Sequence, residues 1–215
     1  MKFHKNIHFA KKALPDYEFD ELKEYLLKEF HKVPHYNFLK KTEKPLNKVE
    51  KAIVKMVGDQ SYHIEYWFRW NEEAGWHVDG DEVFERQMQF VEVKDVKKEA
   101  WGKPSFASYI LYLTVDNVVG GEFECTPNFT WNGGPMRDPN IQPPAGVEVV
   151  SIVPKENVCI RILNSPYHRV NKTIEGNRVV MVFSLWKDVP KGYMLYNHWR
   201  IDGDQIVPSR WPYKE

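Results

Sequence analysis

The chain has 215 residues, a length that is typical of a single domain and sufficient to bury a substantial core. Thirty basic and thirty acidic side chains give a formal net charge of zero, so there is no global electrostatic basis for binding nucleic acid or a membrane surface. Because the chain has only two cysteines, Cys125 and Cys159, and neither a secretory signal nor an apolar run of membrane-spanning length, we expect a cytoplasmic protein with buried, reduced thiols.

The first sixty residues predict two helices. The first begins after Pro15-Asp16 and ends before Pro34, and its apolar side chains recur at helical spacing: Leu22, Leu26, Leu27 and Phe30. The second ends at Gly58 as its C-cap and carries one apolar stripe: Leu46, Val49, Ile53, Met56 and Val57. We expect this helical lead-in, residues 14–58, to pack against one face of a sheet.

From residue 62 onward the period of the sequence changes to two, which predicts strands. An aromatic-rich strand spans 62–70, and a polar turn at 71–75 leads to a strand carrying His77 and Asp79. Gly120-Gly121 is predicted to break a strand, and Glu175-Gly176-Asn177 to form a hairpin turn. Further strands are predicted at 87–93, 105–115, 122–125, 147–153, 158–163, 167–170 and 178–185.

These elements predict a mostly β fold, a sandwich or barrel with a buttress of N-terminal helices. The β-core spans about 60–187, and an aromatic-rich tail, 188–215, packs back on the same domain. Residues 126–146 hold five prolines and three glycines and are predicted to form a long loop, a length that is usually functional or disordered. We therefore expect one domain, residues 1–215, with a cavity lined from several strands.

The motif His77-Val78-Asp79 carries the chemical information. Residues two apart on a strand project to the same face, and His168 from a distant strand would complete a set of two histidines and one carboxylate. Such a set binds Fe(II) on one side and leaves positions open for a co-substrate and O2. Arg178, ten residues after His168, could clamp a carboxylate with its planar fork. Since His-x-Asp alone is a weak motif, the surrounding segments decide the interpretation.

Four segments, in this order, resemble the 2-oxoglutarate- and Fe(II)-dependent dioxygenases, and among them the prolyl 4-hydroxylase-like branch. The resemblance covers roughly residues 60–187. It is carried by Gly75-Trp76-His77-Val78-Asp79, by Ser108-Tyr109-Ile110-Leu111-Tyr112-Leu113-Thr114, by Gly120-Gly121-Glu122-Phe123, and by Tyr167-His168-Arg169-Val170 with the strand from Gly176 to Phe183. The order and spacing of the four together are more specific than any one of them.

The resemblance implies a double-stranded β-helix, the jelly-roll or cupin-like barrel. It implies that His77, Asp79 and His168 bind Fe(II), that Arg178 binds the distal carboxylate of 2-oxoglutarate, and that Tyr112 donates a hydrogen bond to this co-substrate. The reaction it implies hydroxylates a C–H bond with O2 and releases succinate and CO2, with ascorbate as an auxiliary reductant. The chain departs from the family at 180 and 182, where valines replace the small polar residue that often supports the anchor; Ser184 is the next hydroxyl.

Other functions are compatible with the pattern. The resemblance favours a peptidyl proline among peptide or small-molecule substrates, with substrate choice in the loops 81–103 and 126–146. The same iron chemistry could demethylate a nucleobase, but the zero net charge disfavours a nucleic-acid partner. A non-catalytic cupin-type binding module is a third possibility. We expect the strand pair His63-Ile64-Glu65 to bind no metal, and Trp67 and Arg69 are candidates for the substrate side.

Overall fold

The helices and strands were located in a computed structural model, which describes residues 4–29, 37–81, 103–131, 136, 142–190, 199–202 and 205–208. The helices are α1 (Asp16–Glu29) and α2 (Lys48–Val57). The strands are β1 (Ile7–Ala10), β2 (Asn37–Leu39), β3 (His63–Trp70), β4 (Ala74–His77), β5 (Ala107–Gly120), β6 (Phe123–Thr130), β7 (Val150–Ile152), β8 (Cys159–Leu163), β9 (Pro166–Val170), β10 (Thr173–Trp186), β11 (Trp199–Asp202) and β12 (Gln205–Pro208).

Most strands belong to two antiparallel sheets. A six-stranded sheet has the order β1-β8-β5-β10-β3-β2, and a four-stranded sheet has the order β4-β9-β6-β7. The strands β11 and β12 pair only with each other among the described elements. A mostly β fold with two packed antiparallel sheets and N-terminal helices, as predicted from the sequence, is therefore confirmed at the level of a β-sandwich.

The six-stranded sheet is apolar on both faces because each face packs against a different layer. Along β10, Val179, Met181, Phe183 and Leu185 belong to a core cluster that also contains helix residues such as Leu22 and Ile53. The alternating residues Val180 and Val182 belong to a second cluster, with Phe123 and Cys125 of the four-stranded sheet. Each fully buried side chain of this kind stabilises the fold by about 1.5–3 kcal/mol. The predicted packing of the helices on one sheet face is confirmed.

The predicted end of α2 at Gly58 is confirmed, and its N-cap is Asn47, which the sequence analysis did not single out. Asn47 caps α2 by accepting a hydrogen bond from the Glu50 amide at 2.9 Å, and Gly58 closes it in the left-handed conformation, with φ of 70°. The helix stripes were predicted less well, since Leu27 and Leu46 are 44% and 45% exposed. Phe30 lies outside the described residues.

Outside the candidate site, the strand predictions were wrong in three places. The short strands β1 and β2, which pair at the edges of the six-stranded sheet, were not predicted. The predicted turn at Glu175-Gly176-Asn177 lies inside β10, where register shifts against β5 absorb Gly176 at a φ of 80°. The predicted loop 126–146 begins too early, because β6 continues to Thr130. The predicted strand 87–93 and most of the tail lie outside the described residues.

Cys125 and Cys159 are free and buried, as predicted. Burial raises the pKa of the Cys159 thiol to about 12 and raises that of Cys125 further, so both side chains act as small apolar groups of the core. No helix within the described ranges is long and apolar enough to cross a membrane.

Candidate active site

His77, Asp79 and His168 lie close together in the structure. They come from β4, from the segment that follows β4, and from β9. His77 ends β4 and lies directly opposite His168 of β9 in the antiparallel register. Asp79 lies beyond the end of β4, not on a strand as the sequence predicted. Its position is fixed by a hydrogen bond from the Ser105 amide to the Asp79 carbonyl at 3.0 Å, and by the adjacent bridge between Gly80 and Pro104.

The three side chains point their donor atoms at one another. The Nε2 atom of His77 lies 3.6 Å from one carboxylate oxygen of Asp79, and Nε2 of His168 lies 3.5 Å from the other. The potential ligand atoms of the three residues all lie within 4.8 Å of one another. Among the described residues, these three form the group of His, Cys, Asp or Glu side chains that could hold a metal ion. These separations suit three ligands of one divalent ion, with bonds of about 2.0–2.2 Å.

The backbone sets the tautomer of both imidazoles. Nδ1 of His77 lies 2.7 Å from the carbonyl oxygen of Gly75, and Nδ1 of His168 lies 3.1 Å from that of Pro166. A carbonyl oxygen only accepts, so in each ring Nδ1 carries the proton and Nε2 offers its lone pair toward Asp79. Backbone orientation of this kind is typical of histidines that bind a metal.

Asp79 is held as a carboxylate although it is largely buried. Burial alone would raise the pKa of the Asp79 carboxyl, but when the imidazoles are protonated the positive charge and hydrogen bond of His168, and then those of His77, outweigh that effect and hold the pKa well below its usual range. The ring of His168 also lies 5.5 Å from the ring of Phe123, centroid to centroid, at the apolar floor of the site. A buried anion flanked by two oriented imidazoles is an arrangement that a divalent cation completes.

Arg178 lies on the inner face of β10, in the same alternation as Val180 and Val182, and is 2% exposed. Its Nη1 donates to the Gly121 carbonyl at 3.1 Å and its Nη2 to the Glu72 carbonyl at 2.6 Å. Its buried Nε has no hydrogen-bond partner within the described structure. Burial lowers the pKa of Arg178, and Tyr112 raises it again in part. The side chain is thus a buried cation held by two backbone carbonyls, with donor capacity left over.

The Gly120-Gly121 turn lies against the Arg178 side chain, and the structure shows why position 121 needs a glycine. Gly121 has a φ of 71°, and a Cβ added there would lie 2.9 Å from Oγ1 of Thr173 and 3.3 Å from Nε of Arg178. A side chain at this position would therefore be strained and would press on the guanidinium.

Tyr112 lies on the inner face of β5, directly opposite Val180 of β10, and is 1% exposed. Burial raises the pKa of its phenol strongly, and Arg178 offsets this only in part. The hydroxyl is therefore protonated at any working pH and is able to donate a hydrogen bond. The structure places Tyr112 and Arg178 within electrostatic reach of each other.

A group of serines that was not predicted from the sequence lies beside the triad of His77, Asp79 and His168. A small pocket that Asp79 and His168 line is completed by Ser105, Ala107, Ser108, Ile162, Ser165 and Pro166. Arg178 and Tyr112 do not line this pocket. The period-two pattern of β5 was a usable signal, because it places Ser108 on the same face as Tyr112.

The remaining candidates are not part of the triad. His63 is buried and stacks on Phe38, with ring centroids 5.7 Å apart, and burial lowers the pKa of its imidazole. Among the residues described, His63 and Glu65 belong to no group of potential metal ligands. Arg69 pairs with Glu72 at 3.4 Å, and Trp67 packs against the cluster between the sheets.

The fold has counterparts among solved structures, although no protein-family model and no curated protein matches the sequence. The epimerase SnoN, solved with Fe3+, alpha ketoglutarate and nogalamycin RO, is 11% identical, with a TM-score of 0.55 over 95% of this chain and 89% of that one. An oxidoreductase of the 2OG-Fe(II) oxygenase family from Burkholderia pseudomallei is 11% identical, with a TM-score of 0.50 over 87% of each chain. A Pseudomonas putida prolyl-4-hydroxylase is 11% identical, with a TM-score of 0.46 over 86% of this chain and 94% of that one.

The chain therefore has the fold of the 2-oxoglutarate/Fe(II) oxygenases. Within that fold it carries a His-Asp-His triad at the end of the four-stranded sheet.

Proposed function

We propose that the protein is an Fe(II)- and 2-oxoglutarate-dependent oxygenase that hydroxylates a C–H bond. The observation that carries the proposal is the triad of His77, Asp79 and His168, in which both imidazoles present Nε2 toward one buried carboxylate. Two neutral imidazoles and one carboxylate from one side form a ligand set that suits Fe(II) and leaves coordination positions open.

The strand order supports a double-stranded β-helix as the finer description of the fold. Along the chain, β3, β5, β8 and β10 lie in the six-stranded sheet, whereas β4, β6, β7 and β9 lie in the four-stranded sheet. The chain thus passes repeatedly from one sheet to the other, which is how a jelly-roll closes around a central space. In the first of these sheets the order is β8-β5-β10-β3, and in the second it is β4-β9-β6-β7.

We also propose that the helical lead-in and the β-core form one domain. β1 pairs with β8 along four residues, and the Asn157 side chain accepts from the Leu14 amide at 3.1 Å and donates to the Leu14 carbonyl at 2.8 Å. Since α1 and α2 share a core cluster with β5 and β10, the helices have no separate core of their own.

The buried cation between the sheets supports 2-oxoglutarate as the co-substrate. Arg178 has donor groups left after its two bonds to backbone carbonyls, and its unpartnered Nε is buried. A buried guanidinium of this kind is compensated when a carboxylate accepts from it in a planar fork. Tyr112, whose phenol remains protonated, would donate a further hydrogen bond to the same carboxylate.

When bound, Fe(II) with 2-oxoglutarate would supply the oxidation of the C–H bond by O2, with release of succinate and CO2. The residues of the chain hold the geometry for it. Gly75 and Pro166 carbonyls fix the two imidazoles, the Ser105 amide fixes the backbone at Asp79, and the apolar side chains between the sheets exclude water from the site. A dry and rigid site of this kind favours a single productive orientation of the ligands.

For the substrate we propose a peptidyl proline, on the resemblance to the prolyl 4-hydroxylase-like branch stated above. An extended peptide lying over the cleft fits a neutral protein with aromatic side chains on β3, whereas a nucleic acid favours lysine and arginine along its path.

The metal assignment is tested by metal content. Wild type, His77→Ala, Asp79→Ala and the control His63→Ala are loaded anaerobically with Fe(II), desalted and analysed, with folding checked by circular dichroism. His63 is a matched control because it is buried and lies outside the triad. We expect iron to fall to background in the first two variants only. Stoichiometric iron in folded His77→Ala and Asp79→Ala would contradict the assignment of these residues as metal ligands.

The co-substrate and substrate are tested separately. Anaerobic titration of the Fe(II) protein with 2-oxoglutarate should produce a weak visible metal-to-ligand charge-transfer band. Succinate release is then measured with proline-containing peptides, free amino acids and methylated oligonucleotides in parallel. Stimulation by the oligonucleotide alone would contradict the peptide substrate and leave the iron chemistry intact.

A further inference from the structure

Three serine hydroxyls form a connected row inside a sandwich whose inner surface is otherwise mostly apolar. We call Ser105, Ser108 and Ser184 the serine row. Ser108 of β5 lies opposite Ser184 of β10 on one side and opposite Ile162 of β8 on the other. The three serines are 6%, 3% and 1% exposed. The sheet register therefore fixes Ser108 and Ser184, and Ser105 joins them from the segment that precedes β5.

The hydrogen bonds of the serine row leave one proton unused. Oγ of Ser105 lies 2.9 Å from Oγ of Ser108, which lies 3.0 Å from Oγ of Ser184, and either atom of each pair is able to be the donor. Three hydroxyls carry three protons and the two bonds use two of them. If Ser184 donates to Ser108 and Ser108 donates to Ser105, the Ser105 proton is free to point into the pocket. If each hydroxyl donates in the opposite direction, Ser105 offers a lone pair to the pocket instead. The row is thus able to serve a ligand as donor or as acceptor.

The serine row lies next to the triad of His77, Asp79 and His168. Ser105 and Ser108 line the same small pocket as Asp79 and His168, together with the hydroxyl-bearing Ser165. Ser105 is also fixed to Asp79 through its backbone amide at 3.0 Å. A ligand group in this pocket would therefore lie beside a metal bound by the triad.

The serine row lies at the opposite end of the inner surface from the cation that we propose for 2-oxoglutarate. On β10, Ser184 is six residues beyond Arg178 on the same face, which corresponds to roughly 20 Å along the strand. The co-substrate, anchored at Arg178, reaches the triad from one side. The pocket at the serine row lies toward the other end of β10, which leaves it free for the molecule to be oxidised.

We propose that the serine row, with Ser165, is the subsite for the primary substrate and that it binds an uncharged polar group, a hydroxyl or an amide carbonyl, next to the oxidised C–H bond. This inference rests on the proposed function. It deepens that function by assigning the charge of the substrate group and the residues that recognise it.

The part of the pocket lining that the structure describes disfavours a charged group. Its side chains are serine hydroxyls, the apolar Ala107, Ile162 and Pro166, and the two residues that belong to the triad. With Asp79 and His168 committed to a metal, the described lining offers no counter-charge. A buried ammonium or carboxylate would be desolvated there without compensation, whereas a neutral hydroxyl or carbonyl exchanges its water hydrogen bonds for those of the serines.

The experiment uses two series of ligands, each sharing one ring and differing in the charge of the attached polar group. N-acetyl-prolinamide, N-acetyl-proline and prolinamide share one ring and carry neutral, negative and positive charge. Cyclohexylmethanol, cyclohexanecarboxylate and cyclohexylmethylamine form a second series without proline. Binding of each to the anaerobic Fe(II)·2-oxoglutarate protein is measured by saturation-transfer NMR, and the charge-transfer band is recorded on the same samples. We expect the neutral member of at least one series to bind most tightly.

The variant Ser108→Ala removes the central hydroxyl and is compared with Thr114→Val on the same strand. Thr114 has a buried hydroxyl without a hydrogen-bond partner and does not line the pocket. We expect Ser108→Ala to weaken binding of the neutral ligand about three- to tenfold, the scale of one neutral hydrogen bond. Thr114→Val should leave that binding unchanged, and neither variant should change the apparent affinity for 2-oxoglutarate.

The contrary outcomes are distinct. Preference for a charged member, binding of no member, or equal effects of the two variants would overturn the subsite while the charge-transfer band kept the proposed function standing. Weaker 2-oxoglutarate binding in Ser108→Ala would also overturn it, because the pocket would then hold the co-substrate. A wild type without the band would overturn the proposed function and this inference with it.

Discussion

Replacement of Arg178 with lysine keeps a positive charge between the sheets but removes the planar fork. Arginine has five N–H donors, of which two are used by the Gly121 and Glu72 carbonyls, so three remain for a carboxylate. Lysine has three donors in all, and if it satisfies the same two carbonyls only one remains. The variant then loses one charge-assisted hydrogen bond to 2-oxoglutarate, which is worth about 1.5–3 kcal/mol. The apparent affinity should fall roughly ten- to hundredfold at neutral pH.

The lysine variant should also acquire a pH dependence that the wild type lacks. Burial lowers the pKa of Arg178, and the same burial would lower the pKa of a lysine, which starts from about 10.4. The charged form is needed to bind the carboxylate, so the variant should lose affinity as pH rises through this lowered pKa. Arginine starts from a higher pKa and keeps its charge over the working range.

The assay is anaerobic titration of the Fe(II) protein with 2-oxoglutarate between pH 6.5 and 9, followed by the visible charge-transfer band. Arg161→Lys is the matched control: Arg161 also has a buried Nε without a partner, but it lies over the Tyr109 ring at 5.5 Å, where Tyr109 packs in the cluster shared with the helices. Arg161→Lys should bind 2-oxoglutarate with the same affinity as the wild type at each pH. Equal affinities of wild type and Arg178→Lys at every pH would refute the anchor.

Four further outcomes follow from the structure. In Asp79→Asn, the buried anion that attracts the metal is lost, so Zn2+ bound after dialysis should fall to background in protein that keeps its circular dichroism spectrum. Gly121→Ala should lower the free energy of unfolding in urea more than Gly146→Ala. Both glycines have a positive φ, so each substitution costs about 1–3 kcal/mol of backbone strain. Of these two, Gly121 alone also has atoms within 4 Å of an added Cβ. Asn47→Ala should cost about 1 kcal/mol in the same assay through loss of the α2 N-cap. Neither thiol should react with a disulfide reagent at pH 8 until denaturant is added, since burial keeps both protonated; fast reaction in native buffer would contradict their burial.

Features that depend on neighbours in the sequence were predictable from the sequence. Period-two alternation identified the strand His63–Trp70. The cap residue Gly58 marked the end of α2 because only its left-handed conformation terminates the helix there at low cost. In each case the physical cause, a backbone preference or a side-chain direction, acts within a few residues.

The resemblance to a family supplied more than periodicity could. The pairing of His77 with His168 spans 91 positions, and nothing local in either segment encodes it. The family pattern placed both at one site, and the register of β4 against β9 puts them directly opposite each other. The roles of these residues as ligands, and of Arg178 and Tyr112 toward the co-substrate, stay predictions.

Only the tertiary structure decided how the site is supported. Asp79 lies past the end of β4 because the segment 79–81 pairs with 103–105, a contact that no short-range pattern indicates. The carbonyls of Glu72 and Gly121 that hold Arg178, and the hydroxyl chain from Ser105 to Ser184, come from segments far apart in sequence. Hydrogen bonding between distant strands is fixed by register and by the packing of whole sheets, so the sequence determined which groups the site contains and the fold determined which of them meet.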